Sequence, residues 1–185
     1  MRIIGLSGYA RVGKDSVAAI LFGHGYQRKA FADPLYHALT LLNPHLKYKN
    51  EYFPLQDLIA WHGWDNIKEF APQARELLQR LGTEVGRNTL GEDIWVNTAM
   101  NWLNPDGRYV FTDVRFPNEA KAILARGGFV VRIDRPGFGP ANSHISEVGL
   151  NDWPCDGHIV NSGTLADLAV QVEGVLLSLD SPALV

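Results

Sequence analysis

The chain has 185 residues, of which 46% are hydrophobic and 20% charged, with a formal net charge of −3. That length fits one domain with a sizeable core, and the slight acidity excludes a general nucleic-acid coat, which needs a basic stripe to displace counterions. The single cysteine, Cys155, excludes an internal disulfide and a thiolate metal cluster.

No run approaches the ~20 apolar residues of a membrane span. The N-terminus starts on a strand pattern and lacks the basic-then-apolar plan of a signal peptide, so a cytoplasmic setting is expected. The six histidines show no metal-ligand spacing and are read as surface residues.

The first element is an apolar strand at about 2–6. It runs into Gly8-Tyr9-Ala10-Arg11-Val12-Gly13-Lys14-Asp15-Ser16, and a helix is expected over 14–23. Glycines at this spacing let successive N–H groups converge on one anion, and the helix adds the positive end of its dipole. This is a phosphate-binding loop, with Lys14 set to reach the β- and γ-phosphates of a nucleotide. The general motif has Ser or Thr directly after the lysine. Here Asp15 or Ser16 must supply the hard oxygen that magnesium requires.

A second strand is expected at 27–31, and a helix after Asp33-Pro34, where Pro34 suits a first helical position. The stretch 43–70, rich in aromatics and broken by Pro44, Pro54 and Gly63, fits no simple alternation and is expected to move. Helices follow at about 72–85 and 92–103. Arg75, Gln79, Thr83 and Arg87 recur along the first of these at spacings that bring several of them onto one polar face, which either grips a nucleotide or is merely solvated.

The strand at 108–113 ends in Asp113, placed beside the phosphate loop, where it holds a magnesium-bound water, orients a substrate or caps the helix at 117–126. Arg115 is either a bidentate partner for an anion or a surface residue. The strand at 129–134 brings Arg132 and Arg135 to the edge of a glycine- and proline-rich loop, 136–154. That loop contains the polar run Ser143-His144-Ile145-Ser146-Glu147. Cations closing over a transferring phosphoryl group act by electrostatic stabilisation, the role expected of both arginines. A last strand at 157–160 precedes a helix at 164–179, whose expected apolar face is Leu165, Leu168, Val172, Val175, Leu176 and Leu179. Alternation of strands and helices predicts an α/β fold, a five-stranded parallel sheet between two helical layers.

Several further motifs stand together in this order: Phe31-Ala32-Asp33-Pro34-Leu35, Leu81-Gly82-Thr83-Glu84-Val85-Gly86-Arg87, Asp93-Ile94-Trp95, Asp113-Val114-Arg115-Phe116-Pro117-Asn118-Glu119, His144-Ile145-Ser146-Glu147 and Asn161-Ser162-Gly163-Thr164. With the Gly-Lys-Asp-Ser ending of the loop, they make the chain resemble the deoxynucleoside monophosphate kinases of bacteriophages over most of its length. Asp after the loop lysine is similar to that family's own habit.

The resemblance implies a nucleoside monophosphate kinase-like P-loop fold, one domain over 1–185, with a substrate-binding insertion at about 43–70 and a lid at about 135–155. It implies ATP as donor, magnesium as cofactor and a deoxynucleoside 5′-monophosphate as acceptor, with no nucleic-acid or membrane partner. A homodimer is left open. The implied donor site is Gly8, Ala10, Arg11, Val12, Gly13, Lys14, Asp15 and Ser16, with Asn161, Gly163 and Thr164 near the adenine. The implied acceptor site is Asp33, Arg75, Gln79, Thr83, Arg87, Trp95, Asp113 and Arg115, and Asp15, Ser16 and Asp113 are the implied metal side. Trp61 and Trp95 are read either as stacking on a base or as core. Two alternatives use the same loop: a kinase for another small acceptor such as dephospho-coenzyme A, and a nucleotide-dependent binding module.

Overall fold

A computed structural model describes residues 1–140 and 149–180. In chain order the elements are β1 (Arg2–Ser7), α1 (Lys14–Gly23), β2 (Gln27–Lys29), α2 (Asp33–Leu42), β3 (His45–Tyr48), β4 (Glu51–Pro54), α3 (Leu55–Phe70) and α4 (Pro72–Gln79). A π-helical segment (Arg80–Leu90), α5 (Ile94–Asn101), β5 (Arg108–Phe111), α6 (Pro117–Leu124), β6 (Phe129–Asp134), β7 (Gly157–Val160) and α7 (Leu165–Asp180) complete it. The chain packs as two units, one of residues 32–101 and one of the residues on either side.

The flanking residues build the parallel sheet, in the order β2-β5-β1-β6-β7. Ile3, Ile4 and Leu6 of β1 are all buried, as a strand covered on both faces requires. Ile4 and Leu6 join a core with Val17, Ala18 and Leu21 of α1, Val131 and Ile133 of β6, and Leu168 and Val172 of α7. Because every strand runs the same way, their C-terminal ends share one edge, where β1 is flanked by β5 and β6. Ligands of open parallel sheets bind at that edge. The expected strands are all present, though β2 stops at Lys29 and β5 at Phe111. Leu165 departs from the expected apolar face of the last helix: it is 72% exposed, while Leu168 and Val172 are buried.

In residues 32–101, Pro34 stands in the first turn of α2 as expected. The stretch 43–70, which fits no simple strand-helix alternation, folds as a hairpin followed by a helix. β3 and β4 pair as an antiparallel hairpin, and Lys49 and Asn50 both take positive φ at its tip, as a two-residue hairpin turn requires. α3 follows directly and breaks once, at Gly63 (φ 73°). Leu39, Leu46, Leu55, Leu58, Ile67, Ala74 and Leu78 close this unit's core. The helix expected at 72–85 is α-helical only to Gln79, and from Arg80 it widens into the π-helical segment.

Of the second long stretch, 136–140 and 149–154 form turns without regular structure. The run 143–147 lies outside the described residues. Among the described residues no helix is long and apolar enough to cross a membrane.

Candidate functional site

The loop after β1 is bent by two glycines. Gly8 (φ 131°) passes so close to the Ile133 carbonyl that a side chain there would collide with it. Gly13 (φ 107°) leaves no room for a Cβ beside the Asn161 amide. Arg11 also takes positive φ, at 66°. Val12, between them, is fully buried and pins the loop to the core. Its carbonyl accepts a 2.9 Å hydrogen bond from Asn161 Nδ2, so Asn161, just beyond β7, braces the loop directly.

The Lys14 ammonium folds back over the loop, donating to the carbonyls of Gly8 and Tyr9, each at 2.7 Å. Ser16 is half-buried in the first turn of α1. The Asp15 carboxylate is 89% exposed and lies 3.9 Å from Arg28 Nε, a surface pair of little energetic weight.

A network ties the neighbouring strand ends to this loop. On β6 the guanidinium of Arg132 lies 5.1 Å from the centre of the Tyr9 ring. Its Nε donates to Asp134 Oδ1 at 3.1 Å and its Nη1 to the Leu150 carbonyl at 3.3 Å. His158 Nε2 is 2.7 Å from Asp134 Oδ2, and Tyr9 Oη donates to Asn151 Oδ1 at 3.0 Å. Burial works against the charge on Arg132, but the hydrogen bonds with Asp134 and Tyr9 outweigh it and make the guanidinium harder to deprotonate. Arg132 is thus held by Asp134, the Leu150 carbonyl and the Tyr9 ring. Together with Gly8, Tyr9, Arg115, Leu150 and Asn151 it lines one small cavity.

Asp113, past the end of β5, accepts the Phe31 N–H at 2.8 Å and so links the ends of β2 and β5. Arg115 is exposed, but its backbone N–H and that of Phe116 both donate to Glu119 Oε2, at 2.7 and 3.0 Å. Glu119, 4% exposed, fixes the turn that carries Arg115. Sequence reasoning assigned it no role, although a Glu at the third position of a helix opened by Pro117 is a capping signal.

Arg135 is exposed and lies 4.8 Å from the Phe138 ring centre. Phe138 N–H donates to its carbonyl at 3.0 Å across Pro136 and Gly137, so this part of the expected lid is a tight turn. Thr164 and Asp167 cap α7 reciprocally: Thr164 Oγ1 and N–H donate to Asp167 Oδ2 at 2.7 and 2.8 Å, and the Asp167 N–H donates back to Thr164 Oγ1 at 3.2 Å. Gly163 abuts Asp167.

In residues 32–101, Asp33 opens α2. Arg75, Gln79 and Thr83 are exposed, and Arg87 is half-buried. The Trp95 indole is engaged within this unit, donating from Nε1 to the Gly82 carbonyl at 2.8 Å. Trp61 is 56% exposed and packs edge-on against Phe53.

The donor set suits magnesium bound mainly through substrate phosphates. Ser16 and Asp15 offer hard oxygens at the loop, and among the described residues no group of three or more His, Cys, Asp or Glu builds a metal cage.

A family model described as deoxynucleotide monophosphate kinase matches residues 64–172. A protein of Acanthamoeba polyphaga mimivirus named for the same family is 32% identical over 193 residues, covering 93% of this chain and 94% of its own length. The deoxynucleotide monophosphate kinase of Escherichia phage RB69 is 35% identical over 107 residues, 55% of this chain and 44% of the relative. The deoxynucleoside-5′-monophosphate kinase of Escherichia phage T5 is 33% identical over 78 residues, 41% of this chain and 31% of the relative.

Proposed function

The chain belongs to the deoxynucleotide monophosphate kinase family, and from that premise we propose that it transfers the γ-phosphoryl group of ATP to the 5′-phosphate of a deoxynucleoside monophosphate, yielding a diphosphate and ADP. The observation that carries the reading is the phosphate loop itself: two glycines with no room for a side chain, a buried Val12 and an ammonium poised over the turn. Its setting is the cytoplasm of a host cell, in nucleotide supply for DNA synthesis.

The acceptor phosphate is already ionised at neutral pH, so the reaction needs positioning and charge neutralisation more than a general base. The loop N–H groups and the start of α1 hold the donor phosphates. Lys14 trades its two carbonyl partners for phosphate oxygens. Arg132, fixed by Asp134 and Tyr9, is a preset cation facing the same cavity as Arg115, and Arg135 approaches from its turn. Ser16 or Asp15, with Asp113, would hold a magnesium ion, which would supply further neutralisation of the phosphate charge. Asn161 braces the loop on the donor side, with Gly163 and Thr164 beyond it. Asp33, Arg75, Gln79, Thr83, Arg87 and Trp95 serve the acceptor.

The test is a coupled ADP-release assay with ATP, magnesium and each common mononucleotide in deoxyribose and ribose form, run beside Lys14→Ala. Turnover accelerated by deoxynucleoside monophosphates and lost in the variant by several orders of magnitude is expected. Turnover that no mononucleotide accelerates, or a folded Lys14→Ala protein of near-normal rate, would refute it.

A further inference from the structure

Tyr9 stands in the phosphate loop directly after Gly8, and three separate parts of it are engaged. Its carbonyl accepts the Lys14 ammonium at 2.7 Å. Its ring lies beneath the Arg132 guanidinium, 5.1 Å from Cζ to the ring centre. Its hydroxyl donates to Asn151 Oδ1 at 3.0 Å, 142 residues further along the chain. One side chain of the loop therefore touches both the cation at the end of β6 and the stretch that precedes β7.

That stretch holds Arg132 as well. Leu150, next to Asn151 and 5% exposed, takes Arg132 Nη1 on its carbonyl at 3.3 Å, while Asp134 takes Nε at 3.1 Å. Two bonds thus fix the edge of the planar guanidinium and the Tyr9 ring fixes its face. The Arg132 side chain is 16% exposed, so little water competes with the ring contact, which lies in the stronger part of its range. Of these three partners only Tyr9 belongs to the loop that receives phosphates. Gly8, Tyr9, Arg132, Leu150 and Asn151 line the same small cavity. A charge that stabilises a transferring group acts through its preset position, and a misplacement of about 1 Å can cost about a hundredfold in rate.

We infer that Tyr9 is a positioning residue for phosphoryl transfer: with its ring against Arg132 and its hydroxyl latched to Asn151, it sets the distance between the loop that holds the donor phosphates and the cation that neutralises the transferring group. This rests on the role proposed above for Arg132. Tyr9 acts through Arg132, and Asn151 acts through Tyr9 by fixing the ring.

The test is a double-mutant cycle in the coupled ADP-release assay, with ATP and a deoxynucleoside monophosphate varied in turn. Tyr9→Leu removes ring and hydroxyl, Tyr9→Phe the hydroxyl alone, and each is made in the wild-type and the Arg132→Ala background. Tyr9→Leu should lower kcat about five- to thirtyfold, the size of a desolvated cation–π contact, and leave the ATP KM within about twofold. Tyr9→Phe and Asn151→Ala should each lower kcat about two- to fivefold, with no further loss when combined, because they delete the same bond. In the Arg132→Ala background Tyr9→Leu should change kcat by less than about twofold, since the group it positions is gone. A tyrosine that merely packs the loop would lower kcat by the same factor in both backgrounds. That result overturns the inference, as does a Tyr9→Leu enzyme whose only defect is a raised ATP KM. If Tyr9→Leu does not fold, Tyr9→Phe decides in the same two backgrounds and with Asn151→Ala. A wild-type protein that phosphorylates no deoxynucleoside monophosphate overturns the proposed function and this inference with it. An active wild type that needs Arg132 but shows equal losses in both backgrounds overturns the inference alone.

Discussion

Replacing Gly13 by alanine tests the loop where its geometry is tightest. At φ 107° an L-residue is strained, at a cost of roughly 1–2 kcal/mol. The new methyl also meets the Asn161 side-chain amide, which must turn away and give up its 2.9 Å bond to the Val12 carbonyl. Losing that bond at a buried residue adds about 1–2 kcal/mol, for a total of roughly 2–4 kcal/mol. In a chain of this size each kcal/mol moves Tm by about 2–4 °C, so the variant should melt roughly 5–15 °C lower if the loop keeps its shape. If the loop relaxes instead, Tm is retained and ATP binding is lost.

Scanning calorimetry with and without ATP separates these outcomes, with Asn161→Ala and the double variant beside it. Asn161→Ala removes the brace while Gly13 stays unstrained, and in the double variant the collision is gone while the alanine keeps the strained φ. The double loss should therefore fall short of the sum of the two single losses. A Gly13→Ala protein that melts with wild type and binds ATP with wild-type affinity would refute the reasoning.

Asp134 sets an acid limit: burial pushes its carboxyl up, but hydrogen bonds from His158 and Arg132 outweigh this and hold it below the usual range. Its folded pKa lies under its unfolded value, so its contribution is complete above about pH 4 and fades as pH falls through the folded value. Asp134→Asn should flatten that limb in a melt-versus-pH series, and a limb parallel to wild type would count against the network. Glu119→Ala removes a buried acceptor shared by two N–H groups and should cost about 2–4 kcal/mol in urea unfolding. Glu119→Gln keeps an acceptor oxygen and should cost distinctly less, so equal losses would contradict the assignment. Arg135→Ala should lower kcat about 10²–10³-fold with little change in the ATP KM, and Arg135→Lys should recover only part, lacking the planar fork. A rise in the ATP KM alone would shift the role to Arg115.

The sheet was legible because its strands are short apolar runs between glycines and polar turns, and β6 and β7 fall where the pattern places them. The hairpin β3–β4 was not. Its turn uses Lys49-Asn50 without a glycine, and Pro44 and Pro54, which suggest breaks, lie at its margins. The π-helical segment leaves no mark in a search for α-helical periodicity, since Leu81 and Val85 keep an α-like spacing. In the loop, Gly8, Gly13 and Lys14 could be read from spacing alone. The anchoring of Arg132 depends on Asp134 two residues on, which shares its face of the strand, but also on His158 and Tyr9, which only the fold brings near. Thr164 and Asp167 had the spacing of a reciprocal cap, a local signal that a ligand-centred reading passes over.

The central position of β1 bears on how the chain acquires its fold. Arg2 pairs with Arg108 and Ile4 with Phe129, so the strand that leads into the phosphate loop finds both neighbours more than a hundred residues downstream. Closing loops of that size is a cost met before any pairing compensates it. During synthesis at about 5–20 residues per second, β1 waits roughly 5–25 s for its partners. Residues 32–101, whose hairpin and helices contact one another locally, are complete within that interval. Pulse-labelled hydrogen exchange during refolding should find 45–54 protected before 2–7. The apolar strand Ile3-Ile4-Gly5-Leu6 is then the stretch most exposed to chaperones and to misassociation while the rest of the polypeptide emerges.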